Sequence, residues 1–108
     1  MSLTADPPSG AVPASGGTLT HNLVNSGAEK LVFKVRSSNN NEYRVKPVLG
    51  FVEPSGTTSL EITRLPGPAK EDKIVVQFAP SPADAPSASS AFNSVQPTGN
   101  VTIPISAT

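Results

Sequence analysis

Two stretches decide the fold, Lys30-Leu31-Val32-Phe33-Lys34-Val35-Arg36 and Lys73-Ile74-Val75-Val76-Gln77-Phe78. In both of them every second residue is apolar, which is the pattern of a β-strand with one buried face. The residues predicted to face the core are Leu31, Phe33 and Val35 in the first stretch and Ile74, Val76 and Phe78 in the second. Val32 and Val75 are then left as apolar residues on the outward face.

Further strands are predicted over residues 18–24, 43–46, 57–63 and 100–106, with one more N-terminal strand within residues 2–14. Their predicted inward residues are Leu19, Leu23, Leu60, Ile62, Val101, Ile103 and Ile105. Seven short strands separated by turn residues in a chain with 12 Pro and 8 Gly are typical of an all-β, immunoglobulin-like antiparallel β-sandwich. Pro104 is predicted to lie at an edge or a bulge, because proline donates no ladder hydrogen bond.

The 108 residues are expected to form a single domain, since that length is typical of one compact unit. Within it, residues 79–98 are rich in Ala, Ser and Pro and contain Asp84 as their one charged residue. Such a segment offers little apolar area to offset the entropy of ordering it, so a flexible, exposed loop is predicted. A short helix over residues 87–93 is the weaker alternative.

Composition narrows the function classes. Eight basic and eight acidic residues give a formal net charge of zero, so neither nucleic acid nor an anionic membrane is an expected partner. No apolar run approaches the ~20 residues of a membrane helix, and the first residues lack the pattern of a secretory signal. We therefore expect a cytoplasmic protein without a membrane segment.

The sequence contains few residues that could form a catalytic site. The chain has no cysteine, which removes thiolate nucleophiles and thiolate metal sites, and His21 is its one histidine. His21 shares the inward face of its strand with Leu19 and Leu23, so a partly buried structural histidine is predicted rather than a general base. No nucleophile elbow or phosphate-binding loop is present. The prediction is a protein that is not an enzyme and needs no cofactor or metal.

Positive charge is concentrated in residues 30–46, which contain five basic residues and one acidic residue, Glu42, for a local net charge of +4. In an immunoglobulin-like sandwich the strands at 30–37 and 73–79 are expected to be neighbours in one sheet. Lys34 and Arg36 would then share one outward face with Lys73, Val75 and Val32. This face offers cations and a small apolar floor to an acidic peptide. The alternative interpretation is a solvated sheet face that binds nothing.

Residues 33–47, FKVRSSNNNEYRVKP, resemble the major sperm protein (MSP) domain, a family that includes nematode sperm cytoskeletal proteins and the VAP proteins of the endoplasmic reticulum. The shared pattern is a strand ending in a basic residue and two hydroxyl residues, a short loop, an aromatic or aliphatic residue, and a valine before proline. Residues 50–54, Asn25-Ser26 and residues 73–77 are also similar to the family. The greatest similarity is to its small, single-domain, sperm-specific nematode members.

This resemblance implies a seven-stranded immunoglobulin-like sandwich that works through protein–protein contacts. Sperm members form dimers that polymerise into filaments in amoeboid sperm, so a cytoskeletal or assembly-associated sperm protein that self-associates is the first hypothesis. VAP-type members bind acidic, phenylalanine-containing (FFAT-type) peptides on a basic face, which is the second hypothesis; another protein partner is the third. By motif, the peptide-binding role maps onto Lys34, Arg36, Ser37, Ser38, Lys73 and Val75. Asn41-Glu42 stand where the family commonly carries basic residues, so the positive charge of this face is weaker here.

Overall fold

A computed structural model describes residues 3–82 and 87–108 of the chain. In these ranges nine strands and one helix form two sheets that pack face to face. The elements are β1 Leu3–Asp6, β2 Gly10–Val12, β3 Gly17–Asn25, β4 Leu31–Ser37, β5 Tyr43–Lys46, β6 Leu49–Val52, β7 Thr57–Arg64, β8 Lys70–Pro80, α1 Ala88–Asn93 and β9 Gly99–Ala107. One sheet has the strand order β1-β3-β7-β5 and the other β2-β9-β8-β4-β6. The predicted all-β, immunoglobulin-like class is confirmed.

The core between the sheets is built from the residues that the alternation predicts. Phe33 in β4 lies opposite Phe78 in β8, and both are buried. Leu60 and Ile62 of β7 face them from the other sheet and belong to the same buried cluster. Burial of each such side chain contributes about 1.5–3 kcal/mol, so this cluster is the main source of stability.

The strands differ from the prediction in two places. The single N-terminal strand is in fact two: β1 pairs antiparallel with β3 in one sheet, while β2 pairs parallel with β9 in the other. Pro7-Pro8 separate them, because consecutive prolines donate no ladder hydrogen bonds and let the chain cross between sheets. β6 was not predicted, since the glycine in this four-residue strand interrupts the apolar pattern. Over residues 3–82 and 87–108 the sandwich therefore has nine strands and one parallel pair.

Residues 79–98 are not an exposed loop throughout. β8 continues to Pro80, and residues Ala88–Asn93 form α1, whose N-cap Ser87 accepts a hydrogen bond from the Ser90 amide. The helix packs on β4 and β6, and Ala91 is fully buried. Val32, on the outward side of β4, is completely buried beside this helix. It is therefore not part of the open face on which the sequence placed it with Lys34 and Arg36. Residues 83–86 of the predicted loop lie outside the described residues, and its flexibility stays a prediction.

Candidate functional site

The predicted basic face exists as a continuous surface on the five-stranded sheet. β4 and β8 are antiparallel neighbours, with Lys34 opposite Gln77 and Arg36 opposite Val75. Alternation places Lys34, Arg36, Lys73 and Val75 on the same outward side; Arg36 and Lys73 are exposed and the other two half-buried. We call these four residues the basic face. Their predicted proximity is confirmed, whereas their binding role stays a prediction.

The cations of the basic face are not neutralised by neighbours. The ion pairs within the described ranges are Lys30–Glu53 and Lys70–Asp72, neither of which includes Lys34, Arg36 or Lys73. Arg36 Nε donates a hydrogen bond of 2.9 Å to Gln77 Oε1, which holds the guanidinium along the sheet surface. Its remaining N–H groups are available to a carboxylate, which guanidinium binds in a planar fork.

The two predicted serines have different positions. Ser37 lies on the inward side by alternation, and its hydroxyl accepts from the Asn39 amide and donates to the Asn39 carbonyl, both at 3.0 Å. It closes the turn after β4 and is not part of the basic face. Ser38 lies at the end of the face, where its hydroxyl donates to Asp72 Oδ1 and accepts from the Lys73 amide, also both at 3.0 Å. Ser38 therefore links β4 to β8 beside Lys73.

A polar network under the turn after β4 keeps this end of the face in place. Asn39 is buried, and its Nδ2 donates to Glu42 Oε1 and to Asp72 Oδ2, each at 3.1 Å. Its Oδ1 accepts from the amides of Asn41 and Glu42. The Glu42 carboxylate, which the sequence places beside the basic patch, is thus engaged in the turn.

A cleft that sequence reasoning missed adjoins the basic face. It has a volume of about 460 Å³, an apolar lining of Val35, Tyr43, Val45 and Val48, and Arg36 and Arg44 among its polar residues. Val48 is 48% exposed and is the one exposed large hydrophobic residue in the described ranges. Arg36 belongs to both the cleft and the basic face. The one sequence signal for this cleft was an apolar residue directly after Pro47, outside any predicted strand.

The described ranges contain no assembled metal site, and the one histidine of the chain is buried. His21 is 1% exposed, and its Nδ1 lies 2.8 Å from the Pro7 carbonyl oxygen, so the predicted structural histidine is observed. No group of three or more His, Cys, Asp or Glu side chains that could hold a metal is found among residues 3–82 and 87–108. None of the described helices has the length and apolar character needed to span a membrane.

Comparisons with known proteins agree with this architecture. The family model described as the MSP (major sperm protein) domain matches residues 2–101. Sperm-specific class P protein 10 of Caenorhabditis elegans is 64% identical over 108 residues, covering 100% of this chain and 99% of that protein. Among solved structures, SSP-19, an MSP-domain protein like family member in C. elegans, has a TM-score of 0.96 at 63% identity and covers 98% of this chain and 99% of its own. WR4, a C. elegans MSP family member, has a TM-score of 0.92 at 45% identity, with 98% and 97% covered.

Proposed function

Since the chain belongs to the MSP (major sperm protein) domain family, we propose that it is a non-enzymatic sperm protein that acts through protein–protein contacts in the cytoplasm, in the cytoskeleton or in an assembly associated with it. The observation that carries this proposal is the similarity, over the whole chain, to a sperm-specific class P protein. The formal net charge of zero supports self-association, because copies of the chain do not repel one another at long range.

The assembly contacts are better placed on the sheet faces than on the outermost strands. β1, β2, β5 and β6 are the four outermost strands, and each has only three or four residues. β5 also carries Arg44 and Lys46 on its outward side. Short and charged edge strands disfavour strand pairing between molecules. The basic face is open and is the first surface to test.

Self-association predicts a concentration-dependent sedimentation coefficient between low micromolar and near-millimolar protein. Charge reversal by Arg36→Glu is expected to weaken the association about fivefold to tenfold, the effect of losing one or two exposed charged contacts. Lys46→Glu makes the same charge change on the other sheet and should leave the association within twofold. A wild-type protein that stays monomeric over the whole range would rule out self-assembly.

Peptide binding is the second proposal, supported by the geometry of the basic face. Val75 lies between the two exposed cations, opposite Arg36 across the strand pair and two residues from Lys73 on β8. The cleft at Val48 adds an apolar recess next to Arg36. An acidic segment with one apolar anchor would match this arrangement of charge and apolar surface.

Titration of fluorescein-labelled Glu-Glu-Phe-Glu-Asp measures this second activity. Lys73→Glu is expected to weaken binding at least tenfold, because it replaces an attraction by a repulsion within the site. The wild-type affinity should also fall between 50 and 300 mM salt, as screening shortens the reach of exposed charges. Lys46→Glu is the matched control, with the same change in net charge away from the face. Equal affinities of wild type and Lys73→Glu would refute the site.

A further inference from the structure

β9 has an open edge, although it is not an outermost strand. On one side it pairs with β8 along its whole length, from Gly99 to Ala107. On the other side β2 covers only Ile105–Ala107. The first part of β9 therefore has no strand partner on this side among the described residues.

The hydrogen bonds at both ends of the sheet fix the direction of the β9 backbone groups. The Lys73 carbonyl accepts from the Ser38 amide, so the backbone groups of Lys73 point toward β4 and not toward its β9 partner, Pro104. Thr108 donates to the Val12 carbonyl and accepts from the Ala14 amide, on the β2 side. Since these directions alternate along an antiparallel strand, Pro104 also points away from β8. A missing N–H at Pro104 therefore breaks no bond to β8, which is how β9 accommodates a proline although it is not an outermost strand.

The same alternation leaves four backbone groups at the open edge. They are the N–H and C=O of Asn100 and of Thr102, which lie two and four residues before Pro104. No hydrogen bond to another loop or side chain satisfies them in the described ranges. A row of alternating donors and acceptors is the template to which an additional strand pairs.

A groove lies along these groups. It has a volume of about 280 Å³ and lies between β9 and β1, which belongs to the other sheet. Its lining consists of Leu3, Thr4, Ala5, Pro8, Asn100, Val101 and Thr102. None of these side chains is charged. A segment that enters the groove would therefore leave any charged side chain of its own without a counter-charge, which is costly in a partly buried position.

We propose that this groove binds an uncharged, extended segment of another protein, which pairs with Asn100 and Thr102 as an added strand. The segment would alternate small apolar side chains, directed toward Leu3 and Val101, with polar ones directed to solvent. Its recognition is mainly through main-chain hydrogen bonds. This surface shares no residue with the basic face and is independent of its acidic ligand.

Nuclear magnetic resonance titration with acetyl-Ser-Val-Thr-Val-Ser-amide tests the proposal on the full chain. Binding is expected to shift the Asn100 and Thr102 amide resonances and to slow their hydrogen exchange at least fivefold. A peptide with the same side chains but N-methylated at alternate residues lacks the required donors and should not bind. This comparison requires no change in the protein.

Two substitutions at one position separate main-chain from side-chain recognition. Thr102→Pro removes the outward N–H and should weaken peptide binding at least tenfold; Pro104, two residues on, shows that the strand accepts proline in this orientation. Thr102→Val retains the N–H and should bind within twofold of wild type.

Equal binding of the plain and methylated peptides, or no binding of either at millimolar concentration, would overturn the proposal. Protection of the same two amides that rises with protein concentration in the absence of peptide would also overturn it, in favour of a second copy of this chain. Neither result depends on the acidic-peptide titration or on Arg36→Glu, so the proposed functions stand or fall separately.

Discussion

Asn25→Asp is expected to lower the free energy of unfolding by about 4 kcal/mol, the cost of an uncompensated group in a buried polar network. Asn25 is fully buried at the end of β3. Its Nδ2 donates to the carbonyls of Glu29, Val52 and Glu53 at 2.7, 3.3 and 3.2 Å. Its Oδ1 accepts from the Gly27 amide at 2.9 Å. One amide therefore connects the loop between β3 and β4 to the end of β6.

The substitution keeps the shape of the side chain and replaces the donor by a carboxylate oxygen facing three carbonyls. Urea denaturation at neutral pH measures the loss of stability. Asn22→Asp is the matched control, because Asn22 lies on the exposed side of the same strand and should change stability by less than about 0.5 kcal/mol. Similar small losses for both variants would contradict the role given to the Asn25 amide.

Val32→Glu should cost about 3 kcal/mol or more and should release α1 from the sheet, because the new carboxylate would be buried without a partner. Val32 points away from the core between the sheets, yet it is completely buried. The helix that packs on β4 and β6 provides this cover. A six-residue helix is too short to be stable alone, so loss of its packing surface should unfold it.

Hydrogen exchange of the amides in α1, measured together with urea denaturation, tests both parts of this prediction. Val75→Glu is the control, since it introduces the same side chain on the same outward face at a half-buried position that α1 does not cover. That variant should lose less than about 1 kcal/mol and keep the α1 protection. If the two variants lose equal stability and both retain α1 protection, the packing of α1 does not depend on Val32.

Most of the basic face could be predicted from strand alternation. Alternation and the expected order of strands were enough to place Lys34 and Arg36 beside Lys73 and Val75. The family motif grouped Ser37 with Ser38, although alternation places Ser37 on the inward side. Their hydroxyls bond to different partners, Ser37 to the turn after β4 and Ser38 to Asp72. The bond from the Lys73 amide to Ser38 joins residues that are 35 apart in the chain, so it depends on the position of β8 and not on the sequence around Ser38.

The sequence by itself determined the all-β class, the inward residues of the long strands and the neighbours that form the basic face. The class and the inward residues follow from the two-residue period of a strand, which is a property of consecutive residues. The neighbours also required the strand order expected of an immunoglobulin-like sandwich. Only the tertiary structure decided that α1 buries Val32, that Val48 lines a cleft, and that β2 ends before it covers Asn100 and Thr102. These features depend on which distant segment covers a given surface, and no local period in the chain encodes that cover.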